Sequence, residues 1–255
     1  MLDHVLNQLP LASGRHLVVL SGGLDSSILT LLLRKKYGSE KVVALSFEYG
    51  QRQAREIERA RRLTGLIGIE HRLIDLRALG QIARDVSSNI VGSQIAVPTI
   101  HEVLGDPQPV TYVPFRNLIF LSVALAQAEA LGAEHVYVGL QVHDEYGYWD
   151  TTQAFVDSVN AVAAQNRKTQ IRILAPLASF SKYQEIELAK ELNVLELLEH
   201  TLTCYTPNEK GESCGVCPSC SERIANFAKA RVADRIAYQK DLDWPALFAR
   251  FGAKT

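Results

Sequence analysis

"HLVVLSGGLDSSILTLLLRKK", residues 16–36, runs from a β-branched apolar stretch through two glycines into strong helix formers. It reads as strand, tight turn and helix. At such a junction the first helical N–H groups lack backbone partners and the helix dipole adds positive potential, so an anion is favoured there. Gly22 and Gly23 allow a tight bend and close approach of a ligand, while Ser21, Ser26 and Ser27 add hydroxyl donors. The turn lacks the lysine of a Walker A loop and the Gly-x-Gly-x-x-Gly of a dinucleotide site.

The same rhythm continues along the chain. Val- and Ile-rich runs at 16–20, 41–49, 70–76, 135–140 and 170–177 read as five strands. Helical periodicity falls at 26–37, 53–64, 116–131, 151–165 and 181–192. This predicts an α/β fold: a doubly wound, mostly parallel five-stranded sheet with helices on both faces. Residues 116–131, apolar nearly all round, predict a helix packed deep against the sheet. Residues 80–112, rich in Ser, Gly and Pro, break the pattern as lids and binding loops do. The alternation stops near 195, so we divide the chain into an α/β domain, 1–195, and a C-terminal helical segment, 196–255.

Composition narrows the function classes. The 255 residues are 47% hydrophobic and 22% charged with a net charge of −1, which argues against a broad polyanion-binding face. No apolar run approaches the ~20 residues of a membrane span, and the N-terminus lacks a secretory n-region. Cytoplasmic residence is expected, with no membrane partner. "REIERARR", 55–62, reads as a solvated helix face carrying i,i+4 ion pairs.

All four cysteines lie in Cys204-x9-Cys214-x2-Cys217-x2-Cys220, which reads as a metal site rather than disulfides. Four thiolates complete a tetrahedral zinc shell, and an iron–sulfur cluster is the rival.

The Ser-Gly-Gly-x-Asp-Ser pattern resembles the pyrophosphate loop of the ATP pyrophosphatase families, whose fold is that of the adenine nucleotide alpha hydrolases. The resemblance implies that Leu20–Ser27 (Leu20, Ser21, Gly22, Gly23, Leu24, Asp25, Ser26, Ser27) cradle ATP and that Asp25 lies near its Mg2+. "EYGQRQAREIERAR" (48–61), "PFRN" (114–117), "APLASFSKYQEIELAKEL" (175–192) and the cysteine segment narrow the resemblance to the 7-cyano-7-deazaguanine synthases of the queuosine pathway, over about 20–227. That family adenylates 7-carboxy-7-deazaguanine with ATP, aminates it with ammonia, then activates and dehydrates the amide to the nitrile. The match implies that the 1–195 domain binds a nucleotide and the 196–255 segment zinc, with catalytic roles for Asp25, Arg116 and Lys182, a structural role for the zinc at the cysteines, and a homodimer. Read without the resemblance, Arg116 is open to a structural ion pair and Lys182 to solvation.

Two motifs depart from the family. Phe115 stands where it has glycine in Pro-Gly-Arg-Asn. In place of "GYPDCR" the chain has Gly147, Tyr148, Trp149, Asp150, Thr151 and Thr152, with Phe155 following. Tyr148 and Trp149 offer stacking faces and Asp150 an acceptor for a guanine-like edge, with Phe155 the fourth expected substrate contact. The bland alternative has the aromatics packing beneath the loop and Asp150 capping the next helix. His143, Asp144 and Glu145 form an adjacent polar triplet, in which Asp144 is left open as an acid–base or metal-steering group. The altered loop keeps open a relative that joins the carboxylate to another amine, including a protein acceptor. A tRNA-modifying pyrophosphatase and a non-catalytic zinc module are the remaining readings; near-neutral charge opposes the first and the intact loop the second.

Overall fold

The structure, a computed structural model, describes residues 1–11, 13–52, 54–98, 102, 106, 108–140 and 148–252. The elements used below are α1 (Leu2–Gln8), β1 (Arg15–Val19), α2 (Leu24–Tyr37), β2 (Val42–Glu48), α3 (Arg55–Ile67), β3 (Glu70–Asp75), α4 (Arg77–Ala83), α5 (Arg116–Leu131), β4 (Ala133–Tyr137), α6 (Gln153–Ala163), β5 (Arg172–Leu174), α7 (Lys182–Glu191), α8 (Pro218–Lys229) and α9 (Trp244–Phe251). Five strands form one sheet in the order β3-β2-β1-β4-β5, and every neighbouring pair is parallel. Chain order reverses direction between β1 and β4, so a crevice opens at the carboxyl ends of those two strands, where open α/β sheets bind ligands.

Side chains alternate across the strands because successive Cβ atoms point to opposite faces. Val18, Val42, Ala44 and Tyr137 join the core beneath α2, α3 and α7. Leu17, Val43, Leu45 and Val136 join the other, beneath α5 and α6. The five strands and five helices read from periodicity are all present. The helical C-terminal segment holds α8 and α9, which the sequence reading left without bounds; it missed α1, α4 and the 3-10 turn Leu195–His200, short elements dependent on tertiary contacts.

Two expectations are corrected. Helix α5 buries only Asn117, Leu121, Ala124 and Ala128, so it lies on the sheet along one stripe and leaves much of its apolar circumference half-exposed. The expected i,i+4 ion pairs of 55–62 do not form. Arg55, Arg61 and Arg62 extend into solvent, and Glu56 turns inward to line a cavity. Exposed pairs of this kind are worth little, and side-chain entropy works against holding them.

The C-terminal segment shares the first core through Leu198, Phe227 and Ala230. Its polar centre is the fully buried Arg223, whose Nε and Nη2 donate to Asp234 at 2.6 and 3.0 Å and whose Nη1 donates to Thr201 Oγ1 at 2.8 Å. Tyr238 also donates to Asp234, at 2.8 Å. Removing one partner from such a pair strands the other charge. Arg223→Ala should therefore cost about 3–5 kcal/mol in urea unfolding, whereas Arg15→Ala, in the exposed Arg15–Glu70 pair, should stay within about 0.5 kcal/mol.

Candidate functional site

β1 ends in Leu20 and the chain turns through Ser21 and Gly22 into α2. Gly22 has φ +93°, and a Cβ there would collide with the backbone carbonyl of Glu56, so only glycine fits. Ser21 and Ser26 close the turn, their hydroxyls 3.0 Å apart, and Ser21 Oγ accepts from Gly23 N–H at 3.1 Å. No side chain caps α2 at Gly23, which leaves the first-turn N–H groups to a ligand. Across the crevice, Gly139 lets the backbone after β4 approach the start of α2: a Cβ would stand 3.1 Å from Ser26 N.

A cavity of about 320 Å³ opens above this turn. Leu20, Ser21, Gly23, Leu24, Asp25 and Ser26 line one side. Tyr49, Arg116, Tyr148 and Asp150 line the other, and Glu56, Lys182 and Glu222 also face it. The structure thus brings together most of the residues expected from sequence. Ser27 is the exception in the loop: it is fully buried and donates back to Gly23 O at 2.6 Å, so it braces the helix and does not reach the cavity.

Lys182 is not solvated. The Ser181–Gln184 capping box fixes the start of α7, and the buried ammonium lies 3.4 Å from Asp25 Oδ2 and 3.1 Å from Glu222 Oε2. Asp25 Oδ1 is buried with no hydrogen-bond partner, an acceptor held ready for a cation or donor. Arg116 makes no ion pair at hydrogen-bond distance among the described residues. Its guanidinium donates to Asn117 Oδ1 at 3.3 Å and to the buried Tyr49 hydroxyl at 3.4 Å, and the rest faces the cavity. Neighbouring Tyr49 and Asp150 outweigh its burial and hold it more firmly protonated than usual. Burial raises the Asp150 carboxyl, opposed by Arg116 and by the Asn117 N–H.

The loop expected to contact substrate is divided between the cavity wall and the rim. Asp150 is buried in the 3-10 turn Trp149–Thr151, where Asn117 N and Nδ2 hold its carboxylate and carbonyl at 3.4 and 3.0 Å. The cap of α6 is Thr152, whose Oγ1 accepts from Phe155 N at 3.1 Å. Trp149 stands on the outer rim, edge-on to Phe115 at 5.5 Å and to Phe155 at 5.4 Å, and Phe155 belongs to the core. Neither lines the cavity. The second aromatic wall is Tyr112, stacked on Tyr148 at 6.2 Å, a residue the sequence reading passed over inside the irregular 80–112 stretch. Gly147, His143, Asp144 and Glu145 lie outside the described residues.

Phe115 adopts φ +52°, the left-handed region where the related motif carries glycine. That conformation costs a bulky residue about 1–2 kcal/mol. Its ring contact with Trp149 recovers part of the cost, so the two departures from the motif touch each other.

The four cysteine sulfurs all lie within 4.8 Å of one another, with Cys214 and Cys220 3.9 Å apart. Backbone N–H groups of Thr206, Cys214, Cys217 and Cys220 point at sulfurs from 3.2 to 3.5 Å, as they would to stabilise thiolates. The cluster can therefore hold a metal. Cys217 and Cys220 bracket the start of α8, and that helix carries Ser219 and Glu222 to the cavity wall. Sequence reading missed Ser219, Glu222 and Glu56, because none belongs to a motif whose chemistry is visible locally.

The family model described as "Queuosine biosynthesis protein QueC" matches residues 15–231. The 7-cyano-7-deazaguanine synthase of Nitratiruptor sp. is 39% identical over 225 residues, covering 87% of this chain and 97% of that one. That of Paramagnetospirillum magneticum is 40% identical over 232 residues, covering 87% and 97%. Among solved structures, an NMN synthetase from Francisella tularensis resembles the chain at 19% identity and TM-score 0.48, covering 80% of this chain and 74% of that one. An NH3-dependent NAD synthetase from Campylobacter jejuni does so at 16% and 0.44, covering 77% and 72%. The chain is a member of the QueC family of queuosine biosynthesis proteins.

Proposed function

We propose that the protein adenylates 7-carboxy-7-deazaguanine with ATP and converts it with ammonia to 7-cyano-7-deazaguanine. The observation that carries this reading is the single cavity in which an anion-binding turn faces an aromatic and acidic wall. ATP and the heterocycle must meet for adenylation, and the crevice between β1 and β4 is one continuous space.

In this reading the Ser21–Ser26 turn holds the β and γ phosphates at the N-terminus of α2. Mg2+ bound with ATP would supply charge neutralisation, and Asp25, with its unpartnered Oδ1, is the residue suited to hold it. Lys182, between Asp25 and Glu222, is positioned to stabilise charge on the transferring phosphate. Arg116 orients the substrate carboxylate against the α phosphate. Tyr112 and Tyr148 flank the flat ring, and Asp150, fixed by Asn117, accepts from its N–H edge. Trp149 and Phe155 support this loop from outside.

Zinc fits the cysteines better than a four-iron cluster. Zn–S bonds of about 2.3 Å set thiolates of one tetrahedral ion about 3.8 Å apart, close to the observed 3.9 Å between Cys214 and Cys220. A cubane spreads its ligands wider. The homodimer in this reading rests on the family resemblance, since the exposed positions of helix α5 are Ser122, Ala126 and Ala130 and its larger apolar residues pack against the cores.

The second reading, transfer to another amine such as a protein amine, draws on Thr151. It lines the cavity where the family carries cysteine, whereas Thr152 is spent on the helix cap. A tRNA-modifying activity has no comparable support.

Three outcomes are expected. Zinc should copurify at about one equivalent per chain, and Cys214→Ser should lower zinc content and soluble yield together; iron with visible absorbance would overturn the assignment. Asp25→Ala should fold normally but lose substrate-dependent release of pyrophosphate and AMP by at least ~10²-fold, and ADP with phosphate as products would refute the class. Mass spectra of wild-type reactions with ATP, Mg2+, 7-carboxy-7-deazaguanine and ammonium should show the amide and then the nitrile. Product appearing only when a protein amine is present would favour the second reading.

A further inference from the structure

Glu56 has no part in the chemistry described so far, yet its position is distinctive. The first turn of α3 rests on Gly22, with the carbonyl of Glu56 directly against the phosphate turn. From there the side chain faces the same cavity as Arg116 and Tyr49. Glu56 therefore stands at the seam between the anion-binding turn and the heterocycle wall. In an adenylating site that seam is where the acyl carbon and the α phosphorus meet.

We propose that Glu56 is the proton acceptor for the nitrogen nucleophile, its carboxylate taking a proton from ammonium to release ammonia beside the acyl adenylate. This deepens the function proposed above and rests on it. Ammonium has no lone pair and cannot attack. Once one proton passes to Glu56, ammonia forms the C–N bond to the acyl carbon as the C–O bond to AMP breaks. The second proton that nitrogen sheds departs with AMP to water. Glu56 returns its own proton to solvent when the products leave.

The surroundings suit that role. Burial raises the Glu56 carboxyl to about 8, with Arg116 pulling the other way and no hydrogen bond contributing. A carboxylate in the ordinary range would hold ammonium as a salt without deprotonating it, whereas a base poised near the working pH accepts the proton readily. The facing groups also select the neutral form. Arg116 on α5 is the cation beside it, Tyr49 after β2 is neutral with its hydroxyl raised by burial, and Lys182 carries a second positive charge elsewhere on the wall. The remaining acidic groups lining the cavity, Asp25, Asp150 and Glu222, stand beside Lys182 or Arg116. A free ammonium would be repelled by Arg116 unless it surrendered its proton.

The test uses the full-length protein and two nucleophiles. Glu56→Gln keeps the size of the side chain and mimics its neutral form. Substrate-dependent exchange of labelled pyrophosphate into ATP, measured without amine, should stay within about twofold of wild type, while ammonium-dependent amide formation near neutrality should fall ~10²-fold. Hydroxylamine is largely neutral at that pH and needs no such base, so hydroxamate formation should be retained within about threefold. The wild-type ammonium reaction should rise with pH to a bend near 8 that the Gln variant lacks and Glu56→Asp partly restores. Equal loss with both nucleophiles, or no loss with ammonium, would overturn the proton-acceptor role alone. Wild-type protein with no substrate-dependent exchange would overturn the adenylation reading and this proposal with it.

Discussion

Gly22 is a point where three segments meet without a side chain between them. Its positive φ turns the chain from β1 toward α2, its missing Cβ lets the first turn of α3 press against it, and its carbonyl accepts from Leu202 N at 2.9 Å. The turn after β1, the helix that carries Glu56 and the segment leading to Cys204 are thereby held together. A larger residue would both strain the backbone and push α3 away. The depth of the cavity follows from this contact, because α3 forms one of its walls.

Charge in the site is arranged around the same junction. Lys182 reaches in from α7, Asp25 from α2 and Glu222 from α8, so three separate elements contribute to one charged cluster. An isolated buried ammonium would be costly, and the two carboxylates offset that cost. The arrangement gives the cysteine cluster a role beyond local folding. Cys217 and Cys220 bracket the start of α8, so a metal held there would also bear on where Ser219 and Glu222 stand along the cavity.

Much of this was legible in the linear pattern. The five strands, the turn at Ser21–Ser26 and the grouping of four cysteines rest on short-range signals: apolar periodicity, glycine placement and fixed spacing, whereas Arg116 and Lys182 were singled out by the family resemblance. Helix α5 looked deeply buried because it is apolar nearly all round, but burial depends on what is packed against each face, and Ser122, Ala126 and Ala130 face solvent. Trp149 and Phe155 were expected as aromatic substrate contacts, and neither lines the cavity. One instead props Phe115 at the rim, and the other fills the core beneath α6. Tyr112, which does face the cavity, sat in a stretch with no periodicity to interpret.

The sequence by itself determined the alternating α/β architecture, the glycine-bearing strand-to-helix turn after β1 and the grouping of cysteines that can hold a metal, because each is encoded by neighbours in the chain. It also carried the family resemblance through those motifs. Only the tertiary structure decided which side chains share the cavity. Glu56, Tyr112, Ser219 and Glu222 come from α3, the loop before α5, and α8, and their meeting depends on strand order and on helix packing about Gly22. The elevated carboxyl of Glu56 is likewise invisible in the sequence, since desolvation is a property of the enclosing walls and not of the residue.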